Sequence, residues 1–224
     1  MTEKTIQSSE LQLHTRRLSF GTMTLAELRG AILAGTGETI MKPSDEFDVR
    51  LTDGRIATAV CAFMGEDMGR FVFKDCIGEG VMNDRPTNKG GYFGSKGRET
   101  VLTKLLPLLP EQLREIIVPR ELVEIIDGKE KKYADPLWLP SATDLFGNMD
   151  GKWWPDEPDS FQLPAFTRDR DRVKELKEIG TYPYWLRSVI ATYATAFCYV
   201  DTDGGANDSY AYYSIGFAPG FDIA

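Results

Sequence analysis

Asp53-Gly54 lies between two stretches that read as the arms of one hairpin. Upstream, Phe47, Val49 and Leu51 alternate with Asp48, Arg50 and Thr52, the two-residue period of a half-buried strand. Downstream, residues 56–63 return as a mostly apolar run, and Asp-Gly is a dipeptide that tight hairpin turns favour. Arg70-Phe71-Val72-Phe73-Lys74 supplies a third strand, so the chain begins with an antiparallel sheet.

Helical signals flank that sheet. Residues 1–20 show no period and read as an arm; Thr24-Leu25-Ala26-Glu27 is then a capping box before Leu28, Ile32 and Leu33. After a Gly- and Asn-rich loop over residues 83–97, a helix is expected from Ser95 with Val101, Leu102, Leu105 and Leu106 on one face, stopped by Pro107. Gly94 and Lys96 lack the spacing of a phosphate loop. A second helix begins with Pro110 in its first turn and carries Leu113, Ile116 and Ile117. Residues 122–126, Asp127-Gly128 and residues 131–133 form another hairpin with a basic, solvated return arm. Leu137-Trp138-Leu139 reads as a short buried strand, and Ser141-Ala142-Thr143-Asp144 caps a helical turn ending at Gly147. Residues 150–160 read as loop, and residues 167–177 as a charged surface helix with Val173 and Leu176 inward. Strands and helices are mixed without β-α-β alternation, so the fold class is α+β.

Several functional classes are disfavoured. Lys+Arg 26 against Asp+Glu 34 gives a net charge of −8, the wrong sign for a protein that grips nucleic acid through phosphate contacts. Cys61, Cys76 and Cys198 are odd in number and widely spaced, which fits small buried hydrophobes better than disulfides or zinc. His14 is the sole histidine and falls in the arm, leaving no His-based triad. Asp and Glu are plentiful, but no pair is marked by its surroundings, and the expectation is of a protein without enzymatic activity or cofactor. Met1-Thr2-Glu3-Lys4 lacks a secretory signal's apolar core, and no apolar run approaches the roughly 20 residues of a membrane helix. The expectation is synthesis in the cytoplasm, which a virion component would share, without membrane insertion.

The C-terminal stretch carries the strongest local bias. Residues 189–224, thirty-six in all, contain no Lys, Arg, His, Glu, Gln, Leu, Met or Trp in a chain that is 27% charged. Tyr, Asp, Asn, Ser, Thr, Gly and Ala make up most of the segment, and Tyr with small polar residues gives antibody-like surfaces stiff amphipathic area and adaptable hydrogen bonds. Asp201, Asp203, Asp208 and Asp222 have no basic residue after Arg187 to offset them, so a polyanionic ligand is disfavoured there.

Asn83, Asn88-Lys89-Gly90-Gly91-Tyr92, Leu137-Trp138-Leu139-Pro140-Ser141, Tyr184-Trp185-Leu186-Arg187-Ser188 and Gly216-Phe217-Ala218-Pro219-Gly220-Phe221 resemble, in that order, a domain of unassigned function from gut bacteria and their phages. The resemblance spans most of residues 40–224. Its last two motifs are also similar to the end of the formylglycine-generating-enzyme-like variety of C-type lectin fold, where a Trp/Arg/Ser motif precedes a short sheet. That fold is similar to the variable proteins of diversity-generating retroelements, phage tropism determinants among them, whose randomised adenines turn Asn codons into Tyr, Ser, Asp, Thr, Ala, Gly or Ile. Lys, Glu, Gln, Met and Trp do not arise that way, and all five are missing from residues 189–224.

The resemblance implies an arm and short helix over residues 1–40 and a lectin-like domain over residues 41–224, with a ligand-binding segment at 185–224. The candidate contact positions are Ile190, Tyr193, Ala196, Tyr199, Asp201, Asp203, Asn207, Asp208, Ser209, Tyr210, Tyr212 and Tyr213. Ala194, Thr195, Phe197, Cys198, Val200, Gly216 and Phe217 would be scaffold. The implied partner is a protein or glycan on a bacterial surface, met by a phage or prophage component that acts singly or as a homo-oligomer. A structural virion or cell-surface protein is the alternative. Ala218 stands where relatives of this fold often carry Arg, and Cys198 lacks the neighbouring cysteine that formylglycine chemistry requires.

Two local readings complete the expectations. Asp201 to Asp208 offers closely spaced oxygens of the kind calcium takes, but not with EF-hand spacing, and Asp203-Gly204-Gly205 also reads as a hairpin turn. Trp185 and Arg187 are assigned to the core, the indole hydrogen-bonded and the Arg paired internally. Successive strand residues face opposite sides, so at least one of Tyr212 and Tyr213 is exposed.

Overall fold

The computed structural model describes residues 12–13, 23–148, 153–190 and 192–224. An antiparallel sheet, a mixed sheet and an outlying hairpin are built from β1 (Glu46–Arg50), β2 (Ile56–Met64), β3 (Gly69–Phe73), β4 (Gly78–Gly80), β5 (Ile117–Val118), β6 (Arg120–Ile126), β7 (Lys129–Asp135), β8 (Tyr184–Val189), β9 (Ala196–Val200), β10 (Ala206–Tyr210), β11 (Ile215–Phe217) and β12 (Gly220–Ile223). The first sheet has the order β1-β2-β3-β12-β5 and the second β10-β9-β8-β11-β4, while β6 and β7 pair with each other. With short helices added, the fold is α+β, as the sequence implied.

Local chemistry accounts for the elements. Gly54 at φ 88° turns β1 into β2, and Asp53 Oδ1 accepts the Arg55 amide at 3.1 Å. The Thr24–Glu27 capping box opens the helix Leu25–Leu33, which buries Leu25, Leu28 and Ile32 in the main core. Asp127 and Gly128, both at positive φ, close β6 onto β7, whose Lys129–Ala134 portion faces solvent apart from half-buried Tyr133.

The two sheets share an antiparallel ribbon. Segment 69–80 runs beside segment 215–223: Gly220 pairs with Val72 and Asp222 with Arg70 in one sheet, Phe217 with Gly78 in the other. Phe73 N donates to Pro219 O (2.9 Å) and Ile77 N to Phe217 O (3.0 Å) across the bend between them. Two glycines make the close approach possible. A Cβ on Gly216 would lie 2.4 Å from Cys76 Sγ, and one on Gly220 would lie 2.5 Å from the Trp138 ring. Ala218, in the position where Arg was noted as common, is fully buried.

Several expectations are corrected. Residues 167–177 do not form one surface helix: a single turn covers Asp169–Arg172, and the chain then extends into the two-residue strand Glu175–Leu176. Arg172 and Lys174 are the buried side chains, while Leu176 packs half-buried against the core as expected and Val173 is half-buried. Backbone carbonyls decide this. Arg172 donates to Gly204 O (3.0 Å) and Phe166 O (2.9 Å), and Lys174 Nζ to Phe73 O (2.6 Å) and Lys74 O (3.1 Å). The helix from Ser95 runs on through a π-helical turn at Val101–Leu105 and a 3-10 turn at Leu106–Leu108, so Pro107 sits within its last turn. The Pro110 helix spans only Glu111–Arg114, and Ile117 enters β5. Trp138 joins the sheet by a single bridge to Gly220. In the region read as an arm, Gln12–Leu13 pairs with Met23–Thr24, whereas His14 and residues 149–152 of the acidic loop lie outside the described residues.

Candidate ligand-binding site

β9 and β10 form a hairpin at one edge of the second sheet, in register from Ala196↔Tyr210 to Val200↔Ala206. Gly204, at φ 88°, makes the turn, and a Cβ there would meet the Asp169 carbonyl at 2.0 Å. Arg172 holds the same turn by donating to the Gly204 carbonyl. The connecting loop before β9 is fixed from elsewhere in the chain. Asn88 N donates to Ala194 O (2.8 Å), and the Asn88 side-chain amide reaches the carbonyls of Tyr193 (2.9 Å), Ala196 (3.0 Å) and Ile190 (3.4 Å).

Between that loop and the end of β10 lies an open groove of ≈ 540 Å³ lined by Tyr193, Thr195, Ala196, Asp208, Ser209, Tyr210 and Tyr213. Tyr193 is 62% exposed, Tyr210 49%, Tyr212 39% and Tyr213 48%. The three later rings form one cluster. Tyr210 stacks on Tyr212 (5.7 Å between centroids, 8° between planes), and Tyr213 lies 4.6 Å from Tyr212 and 6.2 Å from Tyr210. Tyr212 and Tyr213 do not alternate across a strand. β10 ends at Tyr210, Tyr213 N donates to Tyr210 O at 3.1 Å, and both rings project from the resulting turn.

The remaining candidate positions divide by burial. Asp203, Asn207 and Asp208 are exposed, and Tyr199, Asp201 and Ser209 are half-buried. Ile190 is buried in the core and does not line the groove, a correction to its reading as a contact position, whereas Ala196, also buried, contributes to the groove wall. Ile190 follows directly on the buried strand β8, and Ala196 shares its face of β9 with buried Cys198 and Val200. Thr195, read as scaffold, lines the groove, and Ala194 is exposed. Asn88 is the positioning residue that sequence reasoning missed; its place in the Asn-Lys-Gly-Gly stretch was the available signal.

Beneath the hairpin, β8 supplies a rigid floor. Trp185 is fully buried and donates its indole N–H to Gly80 O (3.0 Å), and Tyr199 meets it edge-on at 6.2 Å. Arg187 donates to Asp159 Oδ2 (2.6 Å) and Ser160 Oγ (2.8 Å). Ser188 donates to Glu157 and accepts from Ala142 N (2.7 Å). Arg120, stacked 4.5 Å over Trp138, forks onto both oxygens of Asp144 at 2.9 Å. Burial opposes the charges here, but Glu157, Asp159 and Asp144 outweigh it and raise the Arg187 pKa. The Arg120 and Arg187 guanidiniums likewise outweigh burial and hold Asp144 low. Trp185 and Arg187 thus belong to the core, as expected.

The electrostatics of the hairpin are those of an acid-rich, base-free surface. Burial and then the carboxylates of Asp201 and Asp208 push the Tyr199 phenol up, and a hydrogen bond with Tyr213 does the same to Tyr212. Asp201 and Asp203 are engaged within their own turn: Asp201 accepts from Thr202 N (2.7 Å) and Asn207 Nδ2 (3.2 Å), Asp203 from Gly205 N (2.9 Å). Among the described residues, no three His, Cys, Asp or Glu side chains are placed to hold a metal ion. No helix among them is long and apolar enough to cross a membrane.

The site is thus an aromatic and small-polar groove on an α+β scaffold. Residues 69–224 match the family described as a domain of unknown function (DUF6273), and the chain belongs to that family. No curated protein and no solved structure matches the chain.

Proposed function

We propose that this is a non-enzymatic binding protein whose segment 185–224 presents a diversified contact surface, acting as a receptor-binding component of a phage or prophage. Its target would be a protein or glycan on a bacterial surface. The observation that carries the reading is the groove itself: exposed Tyr193, Tyr210, Tyr212 and Tyr213 stand on a backbone fixed by Asn88, Arg172 and the buried β8 network. Preorganised aromatic area gives affinity without a large ordering cost. A lectin-like fold of the formylglycine-generating-enzyme type is part of this proposal, supported by the parallel pairing of the Trp-Leu-Arg-Ser strand with the Gly-Phe strand at Tyr184↔Gly216. Display as a homo-oligomer would multiply weak single sites. The protein would be found in the virion, and in the bacterial cytoplasm before assembly.

A second reading, a structural protein whose tail completes the core, draws on buried Ile190 and Ala196 and on the central place of β12 in its sheet. Replacing Tyr210, Tyr212 and Tyr213 together by Ala separates the two. The first reading expects loss of binding to bacterial cells with the melting temperature nearly unchanged; a large fall in melting temperature supports the second. The locus offers an independent check, since diversification requires a near-copy of the coding end differing at adenines beside a reverse transcriptase gene.

A further inference from the structure

We infer that the groove receives the guanidinium of an arginine side chain carried by a partner protein, an inference that rests on the binding reading above. Asp208 lines the groove, is exposed, and has no hydrogen-bond or ion-pair partner for its carboxylate among the described residues. The neighbouring carboxylates differ: Asp201 and Asp203 are engaged within their own turn, and Asp222 is held by the buried fork of Arg70. Segment 188–224 contains no Lys, Arg or His, so it supplies no cation of its own.

Around this open carboxylate stand aromatic faces. Asp208 and Tyr210 are two apart on β10 and so project to the same side, and Tyr193 and Tyr213 complete the wall. A cation within ~6 Å of a tyrosine face is attracted by the ring quadrupole. Guanidinium answers both features at once, stacking flat on a ring while its N–H fork takes a carboxylate bidentately; an ammonium is a more strongly hydrated point charge and does neither. A nucleic acid or acidic glycan would instead bring its charge against Asp208 with no base to receive it.

Two other occupants are disfavoured by the strand. Asn207 Oδ1 accepts the Asp208 N–H at 2.8 Å, which caps an amide in the middle of the sheet edge and works against an added strand. Antiparallel self-pairing of β10 about its midpoint would set Asp208 against Asp208 of a second copy, a like-charge pair. Recognition therefore runs through side chains.

The test is a titration of the isotope-labelled full chain, followed by amide NMR, with Nα-acetyl-L-arginine amide. The uncharged isostere Nα-acetyl-L-citrulline amide and methyl α-D-glucopyranoside are run alongside. The arginine derivative should shift the resonances of Tyr193, Asp208, Tyr210 and Tyr213, the citrulline derivative should not, and Asp208→Asn should weaken the response about fivefold. An equal response to citrulline, an unaltered Asp208→Asn variant, or no response overturns the inference. A response to the glucoside alone also overturns it and leaves the binding reading standing, whereas that reading is lost if the tyrosine triple variant loses its stability or keeps its binding to bacterial cells.

Discussion

The side-chain amide of Asn88 donates to the carbonyl of Tyr193 at 2.9 Å across 105 residues of chain. That bond, with its companions to Ala196 and Ile190, lets a segment of small and polar residues keep one shape although little of its own side-chain packing enforces it. Asn88→Asp would turn a donor into an acceptor facing these carbonyls. Leaving them unpaired costs about 2 kcal/mol, and we expect the melting temperature to fall by several degrees. Amide exchange should accelerate across residues 192–196 more than in β3 or β12.

Arg187→Met would remove the nearer of the two guanidiniums on Asp159, leaving Arg120 at 3.5 Å, in a region that also buries Glu157. Breaking a buried pair from one side costs about 3–5 kcal/mol. Urea denaturation should show a lower midpoint, and Arg187→Lys should recover only part of it, because a point charge does not reproduce the contacts to Asp159 and Ser160.

Gly204 and Gly54 provide a matched comparison. Both have φ of 88°, but a Cβ on Gly54 meets nothing within 4 Å whereas one on Gly204 would overlap the Asp169 carbonyl. Gly54→Ala should cost only the backbone strain, about 1–2 kcal/mol. Gly204→Ala should cost clearly more and detach the turn from Arg172, seen as a larger loss of melting temperature in the second variant.

Lys174 predicts a pH dependence. Burial pulls its pKa from 10.5 down to about 8 in the folded chain, with Cys76, Asp75 and Lys74 as its charged or titratable neighbours. Between those two values the unfolded chain holds the proton that the folded chain has released. Stability relative to Lys174→Met should therefore climb with pH from about 8 upward, by about 1 kcal/mol per unit. Below pH 8 the difference should be flat. Buried Cys61 and Cys76, both pushed up to about 12 chiefly by burial, act in the opposite direction above pH 9, so the comparison is cleanest between pH 8 and 9.

The sequence made the local chemistry legible and left the long-range topology hidden. Asp53-Gly54, Asp127-Gly128, the Thr24 and Ser141 capping boxes and the Ser95 cap depend on neighbours within a few residues, and each appears where its residues stand. Arg172 and Lys174 read as solvated because their carbonyl partners lie up to a hundred residues away. The burial of Ile190 and Ala196 likewise depends on how β8 and β9 pack on the core, which composition does not reveal. Of the candidate site, the exposed tyrosines and Asp208 were visible as composition, while the turn that gathers Tyr210, Tyr212 and Tyr213 required the register of β9 and β10.

The ribbon joining the two sheets also bears on synthesis. β11 and β12 emerge from the ribosome after the other strands, yet β12 fills the slot between β3 and β5, and β11 the slot between β8 and β4. A nascent chain halted before them carries raw, unzipped borders in both layers, which proteases and chaperones recognise. The stretch immediately downstream of the tyrosines thus closes both sheets, and a frameshift among them would leave both open.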